Sequence, residues 1–174
     1  MNWLGIIYAA LFYAATAVLV VGVALKIRRY ARTPAPLKIP TTPAPTTNTG
    51  VALRLTREVV FFESLFKASK WTWLLGWLFH AALLLVLLRH LRYVQQPVWA
   101  PVAAIQEFGI YAGFAMVVGL AGLWARRFLV DRVRYISTPS DHLHLALLIA
   151  IAASGLLMRF VARTDIVAVK AFML

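Results

Sequence analysis

The sequence contains no cysteine and only six acidic residues among its 174 positions. Without thiols, the chain cannot ligate an iron–sulfur cluster, attach a c-type haem covalently or form a disulfide. Charged residues are also scarce, at 14% of the chain, compared with about a quarter in ordinary soluble domains. Hydrophobic residues reach 62%, and the mean hydropathy is +0.79. A chain of this length cannot bury so much apolar surface in one core, so we exclude a soluble globular fold.

Four apolar runs have the length of about 20 residues that a helix needs to cross a bilayer. They are Leu4–Leu25, Trp71–Leu91, Ala104–Ala125 and His144–Val161. The first run has no basic segment before it and several basic residues directly after it, which is typical of a retained span rather than of a cleaved signal peptide. The sequence therefore predicts an all-α, polytopic transmembrane helix bundle with four spans in this chain.

The chain is predicted to have three parts. Residues 1–25 form the first span, residues 26–52 a proline-rich loop, and residues 53–174 a helical bundle with an interfacial helix and three spans. Five prolines within Thr33–Thr49 predict an extended tether, because proline supplies no amide donor. In Leu53–Lys70, apolar residues recur at steps of three and four, which predicts an amphipathic helix at the membrane surface, either separate from the second span or continuous with it.

The distribution of basic residues predicts the orientation. The formal net charge is +12, and nine of the 18 Lys and Arg residues lie between the first and second runs. Four more follow the third run, and the remaining five lie on the opposite side. Because cytoplasmic loops are enriched in Lys and Arg, this distribution places the proline-rich loop inside and the amino terminus outside a bacterial cytoplasmic (inner) membrane. The basic residues flank apolar runs, so we assign them to lipid headgroups and topology rather than to nucleic acid.

Two histidines of the second span are the main functional candidates, because ionisable groups inside hydrocarbon are costly. His80 and His90 are ten residues apart, which corresponds to about 15 Å along a helix and about 80° around it. One helix can thus offer ligands to two cofactors at different depths, but not to one metal ion. Imidazole is a common axial ligand of haem iron. Structural roles remain open, with His90 at the polar interface and His80 hydrogen-bonded to a neighbouring helix.

Polar residues near the outer face form a second group of candidates. Arg89 and Arg92 lie beside His90 and are candidates to pair with haem propionates or a quinone carbonyl. Glu107, near the outer end of the third span, is a candidate proton relay from a quinol or a partner of Arg92. An ordinary interfacial carboxylate is the alternative. The glycines of the third span, which include a small-xxx-small pair, predict close helix packing or room for a flat cofactor.

Two further histidines open the fourth span. His142 and His144 follow Ser140 and Asp141, one of which is the predicted helix cap. A two-residue spacing separates the two imidazoles by about 200° around a helix, so at most one faces a given cofactor. The alternative is that both are histidines at a helix entrance, with His144 the deeper of the two.

Together, these features resemble a known family. The histidine pair, the preceding Arg57–Lys67 segment and the run from Ser140 to Phe160 look like the gamma subunit of respiratory nitrate reductase. From Leu53 to the end, the chain is more similar still to the homologous haem b membrane subunit of the Dsr complex, which is associated with sulfite reduction.

The resemblance implies a five-helix cytochrome b that holds two b-type haems and has its amino terminus outside. Such a subunit exchanges electrons between membrane quinone and an iron–sulfur subunit on the cytoplasmic side, within a larger complex of a quinone-linked oxidoreductase. By this resemblance, His80 would ligate the proximal haem and His90 the distal haem near the quinone site. Chemistry on the sulfur substrate would belong to other subunits.

The chain departs from the family at its end. The opposite axial ligands of the family come chiefly from the region leading into and along a fifth span, whereas this sequence stops at Ala168–Leu174. We therefore expect a continuation that carries the fifth span. Without it, His142 or His144 would have to supply the second ligands, or the haems would be five-coordinate or absent. Two other functions remain open: a histidine-lined proton or ion transporter, and a haem-free membrane anchor of a complex.

Overall fold

Helices make up the secondary structure of the part of the chain that the structure, a computed structural model, describes: residues 3–34, 45, 47–93, 95, 97–163, 165 and 167. The eight α-helices in these residues are α1 (Trp3–Arg32), α2 (Asn48–Thr56), α3 (Glu63–Ala68), α4 (Lys70–His90), α5 (Ala100–Ala104), α6 (Gln106–Leu129), α7 (Asp131–Ile136) and α8 (Pro139–Phe160). A π-helical turn, Arg57–Phe61, joins α2 to α3, and a 3₁₀ turn, Leu91–Tyr93, follows α4.

Four of these helices, α1, α4, α6 and α8, are long and apolar enough to cross a membrane. This confirms the predicted all-α fold with four spans and a multi-pass membrane protein. The helix α1 belongs to a compact unit separate from the one that contains the other helices. It continues to Arg32, so the first residues of the predicted 26–52 loop are helical, and α2 makes its last residues helical as well. The proline-rich tether between them lies largely in residues 35–44 and 46, outside the described residues, as does the expected start of a fifth span at 168–174.

The predicted interfacial helix Leu53–Lys70 is divided into pieces. The π-helical turn ends at Phe62, which has a left-handed backbone with φ 50° and ψ 48°. The helix α3 then ends at Ser69, whose extended backbone caps α4 and whose hydroxyl accepts from the Thr72 amide. The alternative of an interfacial helix continuous with the second span is therefore wrong. The apolar periodicity continues through both breaks. The side-chain pattern therefore gives no sign of the change in backbone direction.

The three spans of the second unit lie side by side with α6 in the middle, packed against both α4 and α8. Residues at the end of α4 meet the start of α6, and residues at the end of α6 meet the starts of α4 and α8. Neighbouring spans therefore run antiparallel. The buried apolar residues are few and mostly small, as expected where lipid covers the outer surface: Ala82, Val102, Ala112, Met116, Leu120 and Ala152.

The fourth span begins earlier than the sequence predicted. The cap of α8 is Thr138, not Ser140 or Asp141. The Asp141 carboxylate instead accepts from the backbone amide of Thr138 at 2.9 Å, which completes a capping box. This places His142 and His144 in the first two turns of α8.

The helix α6 comes close to the backbone of α4 at Gly119. A Cβ at this position would lie 3.1 Å from the carbonyl oxygen of Leu75 and 3.2 Å from the amide nitrogen of Phe79. Because these are backbone atoms, they cannot rotate away. Glycine at 119 therefore sets the distance between the two helices, as small residues do in membrane bundles.

We expect Gly119→Leu to separate α4 from α6 and to destabilise the protein by about 1–3 kcal/mol, the usual range for overpacking. The matched control is Gly155→Leu in α8, where an added Cβ meets no atom within 4 Å. Thermal unfolding of the two variants in the same detergent measures the difference. Equal melting temperatures would contradict the close approach at Gly119.

Candidate functional site

The backbone of its own helix holds the imidazole of His80. The Nδ1 atom lies 2.7 Å from the carbonyl oxygen of Gly76, one turn earlier in α4. Since a carbonyl oxygen only accepts hydrogen bonds, Nδ1 must carry the proton and donate it. The neutral ring then keeps its lone pair on Nε2. This tautomer, fixed by a carbonyl at the other nitrogen, is the one typical of metal-ligating histidines.

Two other histidines have the same arrangement. The Nδ1 of His90 lies 2.6 Å from the carbonyl oxygen of Val86, and the Nδ1 of His144 lies 2.6 Å from that of Ser140. Each ring therefore has Nε2 available as an acceptor or ligand. His80, His90 and His144 are also exposed on the described bundle, so other groups have access to their rings.

His142 differs from the other three histidines. The indole Nε1–H of Trp124 donates to its Nδ1 at 3.0 Å, so Nδ1 is the acceptor. In the neutral ring the proton is then on Nε2, where it blocks coordination. The ring is half-buried and packs against Phe128, with centroids 4.9 Å apart. This geometry is that of a structural link between α6 and α8, and it distinguishes His142 from His144.

The helix α4 holds His80 and His90 at different depths. The level of His80 is marked by the contact of the preceding residue, Phe79, with Gly119 in the second half of α6. The level of His90 is marked by the contact of Arg89 with Gly109 near the start of α6. Among the described residues, no three His, Asp or Glu side chains come together as metal ligands. Each imidazole is thus a single ligand, which suits a group that brings most of its own ligands, as a porphyrin does.

Two aromatic rings fix the orientation of His80. Phe62 meets it edge to face at a centroid distance of 5.1 Å, and Phe79 does so at 4.8 Å. Phe62 reaches this position because its left-handed backbone turns the chain back toward α4. A bulky residue in this region of φ and ψ is strained, and such strain is concentrated at functional sites.

Indole groups of α4 hold this strained backbone in place. The Nε1–H of Trp73 donates to the carbonyl oxygen of Phe61 at 2.6 Å, and that of Trp77 donates to Val60 at 3.1 Å. The break in the helix frees these carbonyls, and in an apolar environment each needs a donor. The two tryptophans therefore attach the turn that carries Phe62 to the helix that carries His80.

The far side of the break is capped by Glu58. Its carboxylate accepts from the backbone amide of Ser64 at 3.0 Å and from the Ser64 hydroxyl. These bonds from Ser64, with a smaller contribution from the nearby Arg54 guanidinium, hold the pKa of the Glu58 carboxyl below its usual value. A lowered pKa means that the charged cap is fully formed at neutral pH and is lost only when acid protonates the carboxyl.

Beside His90, a polar cluster joins α4 to α6. The Nη1 of Arg89 donates to the backbone carbonyl of Gln106 at 2.8 Å, and the Nη1 of Arg92 donates to the Gln106 side-chain oxygen at 2.9 Å. The structure thus pairs Arg92 with Gln106, not with Glu107. The Glu107 side chain is exposed.

Several residues of the site were not found from the sequence. The sequence signal for Gln106 is an amide at the start of a span, opposite the arginines of the preceding span. Phe62 and Trp124 gave no such signal, since aromatic residues in spans are mostly belt and core.

The family of nitrate reductase gamma subunits matches residues 63–173, which include the whole of α4, α6 and α8. The chain belongs to this family. The matched region contains all four histidines, and it begins directly after Phe62.

Two curated relatives align with nearly the whole chain. Both are described as an Hdr-like menaquinol oxidoreductase cytochrome b-like subunit. The relative from Archaeoglobus fulgidus is 36% identical over 208 residues, covering 96% of this chain and 63% of the relative. The relative from Archaeoglobus profundus is 33% identical over 210 residues, covering 97% and 62%. This chain therefore spans less than two thirds of the length of either relative. No solved structure matches the chain significantly.

We expect the double variant Trp73→Phe, Trp77→Phe to loosen the turn around Phe62. Each lost hydrogen bond contributes about 1 kcal/mol, so backbone amides of residues 60–66 should exchange with deuterium severalfold faster or more. The matched control is Trp71→Phe, because Trp71 lies at the same end of α4, is 73% exposed, and its indole makes no hydrogen bond within the described part of the chain. If the control and the double variant exchange alike, the indole attachment is wrong.

Proposed function

We propose that the chain is the haem b-binding membrane subunit of a quinone-linked oxidoreductase complex. It would carry electrons between the quinone pool and an iron–sulfur partner on the cytoplasmic side. The observation that carries the proposal is the pair of α4 imidazoles, each with Nδ1 bonded to a carbonyl oxygen and Nε2 available. Family membership supports it, and so does the cytochrome b-like description of both relatives.

The residues of the chain fit b-type haem at two levels. His80 would be the ligand nearer the cytoplasm and His90 the ligand nearer the outer face. Haem b supplies reversible one-electron transfer where it is bound. The Nδ1–H bond to the carbonyl oxygen of Gly76 or Val86 fixes the tautomer and the orientation of each imidazole. The edges of Phe62 and Phe79 hold the His80 ring and exclude water from that side.

His144 is the better candidate for a further ligand within this chain. All four histidines are described, and beyond α4 only His144 has Nε2 available. The resemblance assigns the opposite axial ligands to a later span. His144 would therefore be an axial ligand only for a haem to which that span supplies none. His142 would act as a structural link through Trp124.

The polar cluster beside His90 fits the quinone end of the pathway. Gln106 receives a bond from each of two guanidinium groups, and this holds Arg89 and Arg92, at the end of α4, against the start of α6. Fixed cations at this depth suit the carbonyl oxygens of a quinone or the propionates of the outer haem. The relatives are described as subunits of menaquinol oxidoreductases, and we propose quinol oxidation at this end with protons released outside.

The charge distribution supports the orientation that we propose. The excess of Lys and Arg on one side favours a cytoplasmic α6–α8 connection and an amino terminus outside the cytoplasmic membrane. The inner ends of the spans would then meet the iron–sulfur subunit, and other membrane subunits of the complex would cover part of the bundle. The finer assignment, to a complex of dissimilatory sulfur metabolism, is proposed from the resemblance to the Dsr haem b subunit.

We expect His80→Ala and His90→Ala each to remove about half of the bound haem, because each removes one axial ligand. The matched control, His142→Ala, should keep the full haem content. Haem is counted by the pyridine haemochrome assay on the full-length natural protein purified with its complex. Added imidazole should restore haem in the two ligand variants, which a purely structural defect would not allow.

Full haem content in both α4 variants would refute the ligand assignment. A colourless, redox-silent complex from haem-replete cells would refute the cytochrome proposal itself. The remaining functions would then be a haem-free membrane anchor and a histidine-lined proton or ion transporter, and ion flux in proteoliposomes would separate these two.

A further inference from the structure

A cavity of about 200 Å³ lies where the end of α6 meets the starts of α4 and α8. It is at the opposite end of the bundle from the Gln106 cluster. Its walls are part apolar and part cationic, and they are formed by Thr72, Leu123, Arg126, Arg127, Val133 and Leu145. The volume equals that of roughly seven water molecules, which is enough for a phosphate group with its ester substituents.

The two arginines of the cavity differ in their partners. Arg127 lies 3.5 Å from the Asp141 carboxylate and donates to the Ser137 hydroxyl at 3.0 Å. Arg126 is half-buried, and within the described residues the one hydrogen bond of its guanidinium is a long contact of 3.4 Å to the Ser69 hydroxyl. No carboxylate of these residues lies within ion-pair distance of Arg126. A partly buried guanidinium without a counterion favours an anion from outside the chain.

The depth of the cavity in the membrane indicates which class of anion lies near it. Thr72 follows directly on Trp71, which is 73% exposed at the first turn of α4. Exposed tryptophan at the end of a span is typical of the headgroup level of a bilayer. The apolar side chains of Leu123, Val133 and Leu145 suit the glycerol and upper acyl segments of a lipid. A hydrated free ion would gain nothing from contact with them.

We propose that this cavity binds the phosphate group of an anionic phospholipid, with Arg126 as the main charged contact. Arg127 and the Thr72 hydroxyl line the same cavity and complete the polar side. A bidentate bond from Arg126 to two phosphate oxygens uses the planar fork of the guanidinium. The site involves none of the proposed haem ligands, so the lipid-binding proposal can be tested independently of the proposed function.

The test compares Arg126→Gln with the matched control Arg132→Gln in the full-length complex. Arg132 lies six residues later in α7, is exposed and is not among the residues that line the cavity. Each protein is reconstituted in nanodiscs of phosphatidylcholine with a minor fraction of phosphatidylglycerol, and lipids retained after detergent extraction are counted by mass spectrometry. Haem content is measured on the same samples.

We expect wild type and Arg132→Gln to retain phosphatidylglycerol, and Arg126→Gln to bind it at least about tenfold more weakly, because one charge-assisted contact is lost. Phosphatidylglycerol should also raise the melting temperature of wild type, and inorganic phosphate should not.

Three results would overturn the proposal. Equal loss of lipid in both variants would mean a diffuse effect of positive charge. Stabilisation by inorganic phosphate to the same extent would mean a site for free oxyanions. Loss of haem in Arg126→Gln with unchanged lipid would assign the arginine to a haem propionate.

Discussion

The hydrogen bond from a histidine Nδ1–H to the carbonyl oxygen one turn earlier determines what this bundle can do. In hydrocarbon, an imidazole needs a partner for its proton, and the helix provides one at Gly76, Val86 and Ser140. The bond satisfies one nitrogen and leaves the other free with a defined direction. A single apolar helix can therefore carry two imidazoles whose Nδ1 protons need no side-chain partner, and α4 stays hydrophobic along most of its length.

The packing of the spans leaves the imidazoles of His80 and His90 accessible. Because Gly119 lets α6 approach the backbone of α4 closely, the contact between the two helices uses few and small side chains. His80 lies outside this contact and meets Phe62 instead. The left-handed turn at Phe62 and the close contact at Gly119 thus act on α4 from different sides. One fixes the ring of His80, and the other fixes the helix that carries it.

The sequence predicted the spans, their number and the candidate histidines, because these depend on composition and on spacing along one helix. It could not predict the break at Phe62, where the apolar periodicity continues and the turned backbone is held by Trp73 and Trp77, which donate to the freed carbonyls. Nor could it separate His142 from His144, since that difference depends on Trp124 of another helix. The partner of Arg92 was missed for the same reason. Each of these failures concerns a contact between elements that the sequence places apart.

The scarcity of acidic residues has the same consequence at both ends of the bundle. Among the described residues, Glu58, Glu63, Asp131 and Asp141 form ion pairs with Arg or Lys, and three of these pairs join residues three or four apart in the sequence. The arginines at the ends of the spans are therefore satisfied largely by neutral oxygens: Gln106 beside His90, and Ser69 and Ser137 at the other end. Neutral acceptors fix the direction of a guanidinium without cancelling its charge. Both ends of the bundle consequently hold oriented positive charge at the membrane surfaces, available to ligands that carry the negative charge this chain lacks.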